Sequence, residues 1–291
     1  MILSIIIPTC DGSASLPRAL HSIFIQEHPP LEVIVIDNNS PGAISQSLRE
    51  KFPSVTVIKN SHNRGTSYAR NQGLSLAKGE YIMFLDSDAE LEENFFSILN
   101  TVQNKLPHDI AGISPQIIQK STQRIFSCGL SITSIYRVFD IGRGKRRDEF
   151  VSPFAIDGPN SCCAILKKES LEQIKERNYF DEDFFFLFED ADVALRLKNK
   201  GKKCICLPQL VCFHEGNSSH FSEQKRRYLC FRNRIYMIIK HSTQRALYFL
   251  LLKSFVYDIV RTFHFFLSNK YASLLFKDIY RKWRYEKNNY F

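Results

Sequence analysis

Two periods of apolar residues alternate along the first third of the chain. Apolar runs at Ile2 to Ile7, Leu31 to Ile36, Val55 to Ile58 and Tyr81 to Leu85 have the length of strands buried on both faces. Between them lie stretches with a 3.6-residue period. Ser15 is placed to cap a helix that puts Leu16, Ala19, Leu20, Ile23 and Phe24 on one face. A short helix is predicted over Ile44 to Phe52, and another over Thr66 to Ala77, opened by Gly65 and closed by Gly79. Strands alternating with helices predict βαβ units, right-handed connections and a mostly parallel sheet. The polar residues that end the strands then gather on one edge: Thr9 to Asp11, Asp37 to Ser40, Asn60 to Arg64, and Asp86 to Asp88. Open α/β sheets bind their ligands outside that edge.

The last of these clusters closes the run Phe84-Leu85-Asp86-Ser87-Asp88. Two carboxylates one residue apart repel each other unless donors or a cation lie between them. A hard divalent cation carrying phosphate oxygens relieves that repulsion. The competing reading is that Asp88 caps a helix over Ala89 to Asn104. No GxGxxG or P-loop string occurs, and Gly12 and Gly42 are isolated, so a dinucleotide fingerprint and a kinase-type phosphate cradle are both unsupported.

Beyond Asp109 the pattern changes. Ile110 to Ile118 is a further apolar run, but residues 119–150 have no clear period and include Gly142-Arg143-Gly144-Lys145-Arg146-Arg147. That segment reads as a solvated loop, as a mobile substrate lid or as a contact for an anionic acceptor. Ser161 to Leu166 is strand-like. The aromatic stretch Phe184 to Phe188 runs into Glu189-Asp190, where a helix ending at Gly201 begins. Asp190 is therefore placed at a positive helix N-terminus beside an aromatic wall, which favours an ionised carboxylate with limited water. Lys203 to Leu207 and Gln209 to Phe213 read as two short strands on either side of Pro208, ending at His214; His220 has no comparable placement.

From Ser222 the pattern is helical and basic. Ala246 to Leu267 is rich in Leu, Phe and Tyr but is interrupted by Lys253, Asp258 and Arg261, within the ~20 residues that a bilayer span needs apolar. With Lys270, Lys277, Arg281, Lys282, Trp283 and Arg284 it suits a pair of interfacial amphipathic helices on an anionic membrane surface. The alternative packs these helices on the α/β unit or on a second subunit as a homodimer.

Composition narrows the field only a little. The 291 residues are 44% hydrophobic and 24% charged, as in a folded protein with a substantial core. A net charge of +9 suits polyanionic or phosphorylated partners without choosing among them. A nucleic-acid binder is disfavoured, because the surplus sits in the C-terminal third with no recognised motif. The eight cysteines form no CxxC pair or zinc pattern and read as reduced, small apolar residues of an intracellular protein. The N-terminus lacks a basic leader and reads as a first strand.

Four motifs in order carry a family resemblance. Ser4-Ile5-Ile6-Ile7-Pro8-Thr9, Val35-Ile36-Asp37-Asn38-Asn39-Ser40, Asn63-Arg64-Gly65 with Ala69-Arg70-Asn71-Gln72-Gly73, and Phe84-Leu85-Asp86-Ser87-Asp88 resemble family 2 glycosyltransferases. The likeness, strongest to bacterial rhamnosyltransferases that build surface polysaccharides, covers roughly residues 2–240. It implies an α/β GT-A fold: a catalytic domain over 1–221, with a nucleotide-binding half (1–109) and an acceptor half (110–221); the helical, basic pattern from Ser222 makes 222–291 a basic amphipathic helical extension. It also implies a nucleotide-sugar donor and a saccharide or lipid-linked acceptor. The setting would be cytoplasmic, at the inner face of a membrane.

Residue by residue, the resemblance places Pro8, Thr9 and Asn63 along the nucleotide, Asp37 at a pyrimidine base and Asp86 near the ribose. Asp88 would hold a divalent cation, Mn2+ or Mg2+, with His214 as a further ligand; an imidazole suits Mn2+ better than Mg2+. Arg70 would approach the diphosphate or pair with Asp86, and Arg232 would reach the diphosphate. Asp190 matches the family's catalytic base, Glu189 would orient or cap, and Asp192 would support the helix or touch the acceptor. Asp157-Gly158 would open the segment lining the sugar pocket, with Cys162 and Cys163 in place of the usual small residues. Two enzymatic or binding alternatives stand beside this. A nucleotidyltransferase would show a Gly-rich loop where Pro8-Thr9-Cys10-Asp11-Gly12 stands, and an inactive binding module would not need both Asp88 and Asp190.

Overall fold

The computed structural model of the chain describes every residue except 1, 11–14, 42–43, 104, 217–220, 243–248, 251, 254–262, 264, 268–269 and 291, and the side chains of 44, 45, 47 and 288–290. Expectations that rest on Asp11, Gly12, Gly42, His220, Asp258 and Arg261 lie outside the described residues.

The apolar runs of the first third become β1 (Leu3–Thr9), β2 (Glu32–Asp37), β3 (Thr56–Lys59) and β4 (Tyr81–Leu85). The helices between them are α1 (Ser15–Phe24), α2 (Ile44–Lys51) and α3 (Thr66–Leu76). The strands lie in the order β3-β2-β1-β4 and are all parallel. β1 has a neighbour on each side, so the winding reverses there and a crevice opens at the strand ends. Alternate residues face opposite layers. Ile5, Ile7, Val33 and Val35 pack against Leu16, Leu20 and Ile23 of α1, while Ile6, Ile34 and Ile36 pack against Ala69 and Leu74 of α3. Each such fully buried side chain contributes about 1.5–3 kcal/mol of transfer free energy.

Residues 89–104 correct the sequence reading. They form β5 (Ala89–Leu91) and then α4 (Phe95–Gln103) instead of one helix. Ala89 and Leu91 are buried on either side of the partly exposed Glu90, a strand alternation that pairs them with His214 and Cys212. Asp88 thus precedes a strand and caps no helix.

The second half completes the sheet with β6 (Ile110–Gln119), β7 (Arg124–Ser127), β10 (Phe154–Ile156), β11 (Cys163–Lys167) and β12 (Lys203–His214). β11 runs antiparallel to both β4 and β6, so the sheet is mixed. β8 (Leu130–Ile132) and β9 (Val138–Asp140) make a separate hairpin from residues in which the sequence showed no period. The two strands expected around Pro208 are one, β12, whose pairing with β6 shifts register between Leu207 and Val211. Proline has no N–H to give, so a ladder can pass it at such an irregularity.

α5 (Lys168–Gln173) and α6 (Glu189–Asn199) follow β11, and α7 (Glu223–His241) and α8 (Ala272–Tyr290) close the chain. Tyr236 and Met237 of α7 pack with Leu130, Phe184 and Ala191. Ala272 and Leu275 of α8 pack on Tyr228 and Leu229. No disulfide joins the cysteines, of which Cys10 is half-buried and Cys230 exposed while the other six are buried.

Candidate active site

A cleft of about 360 Å³ opens at the carboxyl ends of β1 and β4. Pro8, Thr9, Asn63, Arg70, Asp86, Asp88, Asp190 and His214 all line it, so residues far apart in sequence share one cavity. One end is walled by Phe185, Phe186, Phe188 and Phe221. Asp37 and Arg232 do not line it.

Asp86 and Asp88 leave β4 as the spacing required. The Asp86 amide donates to the Cys162 carbonyl at 2.8 Å, which ties this strand end to the chain entering β11. Its carboxylate accepts from Arg70 Nη2 at 3.4 Å. Burial pushes the Asp86 carboxyl up to about 6, with Arg70 pulling down and Asp88 adding repulsion. Asp88 is 3% exposed and lies 3.1 Å from His214 Nε2, although β5 and β12 bring them together from positions 126 residues apart. Burial works against a charged His214 ring, yet the bond to Asp88 and the charges of Asp88, Asp86 and Glu215 outweigh it and raise its affinity for a proton. Among the described residues His214 Nδ1 has no hydrogen-bond partner.

Arg70 joins the end of β4 to the start of α6. It is 3% exposed, and its guanidinium donates to Glu189 Oε1 at 2.5 Å and to the Ser161 carbonyl at 3.3 Å as well as to Asp86. Of the two expected placements, pairing with Asp86 is the one observed, and the shorter bond goes to Glu189. Glu189 therefore orients Arg70 from the first turn of α6. Next to it, Asp190 Oδ1 accepts from the Ala191 amide at 2.8 Å and Oδ2 from the Ser161 amide at 3.3 Å. Burial, with Glu189 adjacent, pushes the Asp190 carboxyl up to about 7, against the opposing pull of Arg70 and the two amides. A carboxyl poised there can exchange a proton near neutral pH.

The backbone before Asp190 is unusual. Phe185, Leu187 and Phe188 have φ of 65°, 70° and 72°, left-handed values that branched and aromatic residues rarely adopt. They persist because surrounding groups hold their carbonyls. Asn233 Nδ2 donates to the carbonyls of Phe184, Phe186 and Leu187 at 3.0, 2.9 and 2.7 Å. Arg232 is corrected from its expected place at the diphosphate: it is 7% exposed and donates to the Asp183 and Phe184 carbonyls, both at 2.9 Å. Across the cleft, the Phe185 carbonyl accepts from the Thr66 amide at 2.6 Å. Gly65 allows this approach, since a Cβ there would lie 2.5 Å from that carbonyl oxygen.

Asp192 faces away from the cleft. It is fully buried among Arg196, Lys240 and His241, which hold its carboxyl well below the usual range against burial. Lys240 also pairs with Asp181 at 3.2 Å. Lys282 of α8, 1% exposed, pairs with Asp181 and Asp183 at 2.6 and 3.0 Å. Sequence reading treated Lys282 as a surface cation; only its position on the inner side of α8 distinguishes it, and that required the packing.

Asp37 Oδ1 accepts from the Ser40 amide, three residues on, at 2.7 Å, and among the described residues its buried Oδ2 has no hydrogen-bond partner. Its neighbour Asn38 lines the cleft and donates to Asn63 Oδ1 and the Gly65 carbonyl, both at 3.0 Å. In the basic loop, Arg143 lines the cleft and pairs with Asp140 at 2.6 Å. Lys145, Arg146 and Arg147 instead pair with Glu149, Asp148 and Glu92 outside it.

Residues 4–175 match the family model described as Glycosyl transferase family 2. The chain belongs to that family. Among curated relatives of this family 2 chain, an uncharacterized glycosyltransferase of Haemophilus influenzae is 38% identical over 30% of the chain and 29% of its own length. The GalNAc(5)-diNAcBac-PP-undecaprenol beta-1,3-glucosyltransferase of Campylobacter jejuni is 34% identical over 35% of each. The minor teichoic acid biosynthesis protein GgaB of Bacillus subtilis is 34% identical over 69% of the chain and 21% of its own length. The matched part thus spans about a third or less of these relatives.

Solved structures show that the family 2 chain has the GT-A fold. The mannosyltransferase from Pyrobaculum calidifontis in complex with GDP-Man and Mn2+ superposes with a TM-score of 0.58 at 16% identity, over 99% of this chain and 75% of that one. S. aureus TarS in complex with UDP-GlcNAc gives 0.56 at 18% identity, over 84% and 69%.

Proposed function

We propose that this family 2 chain transfers a sugar, with inversion at the anomeric carbon, from a nucleotide-diphosphate donor to an acceptor hydroxyl. The observation that carries it is that Asp190, poised near neutrality, and the Asp86/Asp88/His214 group line one cleft. The donor would lie along Pro8, Thr9 and Asn63, with its ribose near Asp86 and the orphaned Asp37 Oδ2 accepting an N–H of a pyrimidine base. Arg70 is then a positioning group that fixes Asp86 from one side and Glu189 from the other.

Asp190 takes the proton of the acceptor hydroxyl while that oxygen attacks the anomeric carbon. The bond from that carbon to the diphosphate oxygen breaks, and the nucleoside diphosphate leaves with the electron pair. The aromatic wall keeps water away from Asp190, which limits donor hydrolysis. Asp88 and His214 fit a divalent cation: a carboxylate and an imidazole are buried within 3.1 Å of each other, and a second carboxylate, Asp86, stands beside them. Bound there, Mn2+ or Mg2+ would offset the charge growing on the departing diphosphate.

We take residues 1–221 as the catalytic unit and 222–291 as an extension docked on it. The names of the relatives support an acceptor in surface polysaccharide or glycolipid synthesis, saccharide or lipid-linked. Among the described residues no helix is long and apolar enough to cross a membrane. Exposed Phe263, Leu267, Leu274, Phe276 and Tyr280 beside exposed Lys270 and Lys277 suit an anionic membrane surface, on the cytoplasmic face where a nucleotide sugar is available. The same apolar face would otherwise serve a homodimer; a monomer that floats with phosphatidylglycerol vesicles separates the two.

The test is a panel of nucleotide sugars offered with Mn2+ or with Mg2+, scoring donor turnover and the anomeric configuration of the product. Inverted product, metal-dependent and lost in Asp190→Asn, is expected. Retained configuration, or full turnover in Asp190→Asn, overturns the reading.

A further inference from the structure

Cys162 has no part in the mechanism above, yet its sulfur stands beside Asp86 and His214 of the cation group. It is 4% exposed and lies on the border of two environments, packing with the core below the sheet and lining the cleft above it. Its backbone is fixed on both sides: its amide donates to Asn160 Oδ1 at 2.9 Å and its carbonyl accepts from the Asp86 amide at 2.8 Å. One carboxylate oxygen of Asp86, the Cys162 sulfur and one ring nitrogen of His214 all lie within 4.8 Å of one another. Three different ligand types converge there, and Asp88 is bonded to the same imidazole.

We propose that Cys162 is a ligand of the cation held by Asp88 and His214, making the site a mixed oxygen, nitrogen and sulfur one. The inference rests on the cation reading of the proposed function and adds a consequence that reading lacks. A thiolate is a soft ligand that Mg2+ does not use and that Zn2+, Co2+ and Cd2+ favour. The site therefore discriminates against Mg2+ and takes Zn2+ or Co2+ more firmly than a site of oxygen and nitrogen alone. On ligation the S–H bond breaks, its proton goes to solvent, and a metal–sulfur bond forms with no change in oxidation state. The separation of up to 4.8 Å exceeds the ligand spacing around a bound ion, so the side chains draw inward when the site fills.

Co2+ is the probe, because a thiolate ligand gives it a sulfur-to-metal charge-transfer band in the near ultraviolet. The full chain with UDP is titrated with CoCl2, following that band by absorption and total binding by calorimetry. The wild type is expected to bind Co2+ with the band. Cys162→Ser, a change of one atom that leaves the fold intact, is expected to bind Co2+ without the band and to lose preference for Zn2+ over Mg2+. Cys230→Ser, at the exposed cysteine of the same cleft, is expected to keep both. Co2+ binding with no band in the wild type, or a band that survives Cys162→Ser, overturns the sulfur ligand and leaves the cation reading standing. Absence of any Co2+ or Mn2+ binding in the presence of UDP overturns the cation reading, and the sulfur ligand with it.

Discussion

The two sides of the cleft are built on different principles. On the side we assign to the donor, Pro8, Thr9, Asp86 and Asp88 follow or end parallel strands whose positions come from backbone pairing and apolar alternation. Placement there is a by-product of the sheet. On the side we assign to the acceptor, Asp190 follows a loop of left-handed aromatic and aliphatic residues that no local preference supports. Its geometry is imposed from elsewhere, by Asn233 on α7, by the Lys240 and Lys282 network, and by the Thr66 amide. The donor side is therefore expected to tolerate change outside the sheet, and the acceptor side to fail when distant groups are altered.

Asp190→Asn gives the largest expected effect on the acceptor side alone. Transfer should fall by about 10²- to 10⁴-fold, the usual contribution of a positioned base, while UDP affinity by calorimetry stays the same. Lys282→Met comes next. It takes from Asp181 the shorter of two ion pairs, with Lys240 remaining at 3.2 Å, so the cost should fall short of the ~3–5 kcal/mol of a buried charge left with no partner. The unfolding midpoint should drop, and kcat should fall with little change in donor KM; equal losses of both would mean that the two sides are not separately supported. Gly65→Ala attacks the contact between the sides, since its Cβ would meet the Phe185 carbonyl oxygen at 2.5 Å. Overpacking of this kind costs about 1–3 kcal/mol and should show as weaker transfer with the sheet intact by circular dichroism.

The pH response sharpens the comparison further. With Asp190 pushed up to about 7, the ionised base is lost as pH falls, so kcat/KM of the free enzyme should decline below about 7 and approach a tenfold loss per pH unit. Stability from this group runs the opposite way. An unfolded aspartate ionises near about 3.9 while the folded one stays protonated, so its contribution falls as pH rises from there to about 7 and is level above. A profile flat from pH 6 to 8 would remove Asp190 as the base. Arg146→Ala should do nothing measurable to either side, because its pair with Asp148 is exposed.

What could be read from the sequence follows the same division. Strand ends and their carboxylates were legible because period and punctuation fix a parallel sheet. His214 was legible as the end of an apolar run, though Pro208 made one strand look like two. The misreading of residues 89–104 arose because Ala-Glu-Leu suits helix and strand alike, and only pairing with Cys212 and His214 decides it. Arg232 was placed at the diphosphate by resemblance, and the fold spends it on loop carbonyls instead. Asn233 and Lys282 carried no local signal, since a buried amide or amine differs from an exposed one only by what packs over it.

The bond from the Thr66 amide to the Phe185 carbonyl makes one proton of α3 a gauge of the aromatic loop before Asp190. That amide belongs to the first turn of α3, where no carbonyl of its own helix is available to accept it. It is protected only while the aromatic loop stays down. Its hydrogen–deuterium exchange is therefore expected to report any opening of the loop, and a nucleotide that slows exchange at Thr66 without touching Asp190 would show that filling the cleft sets the readiness of that loop.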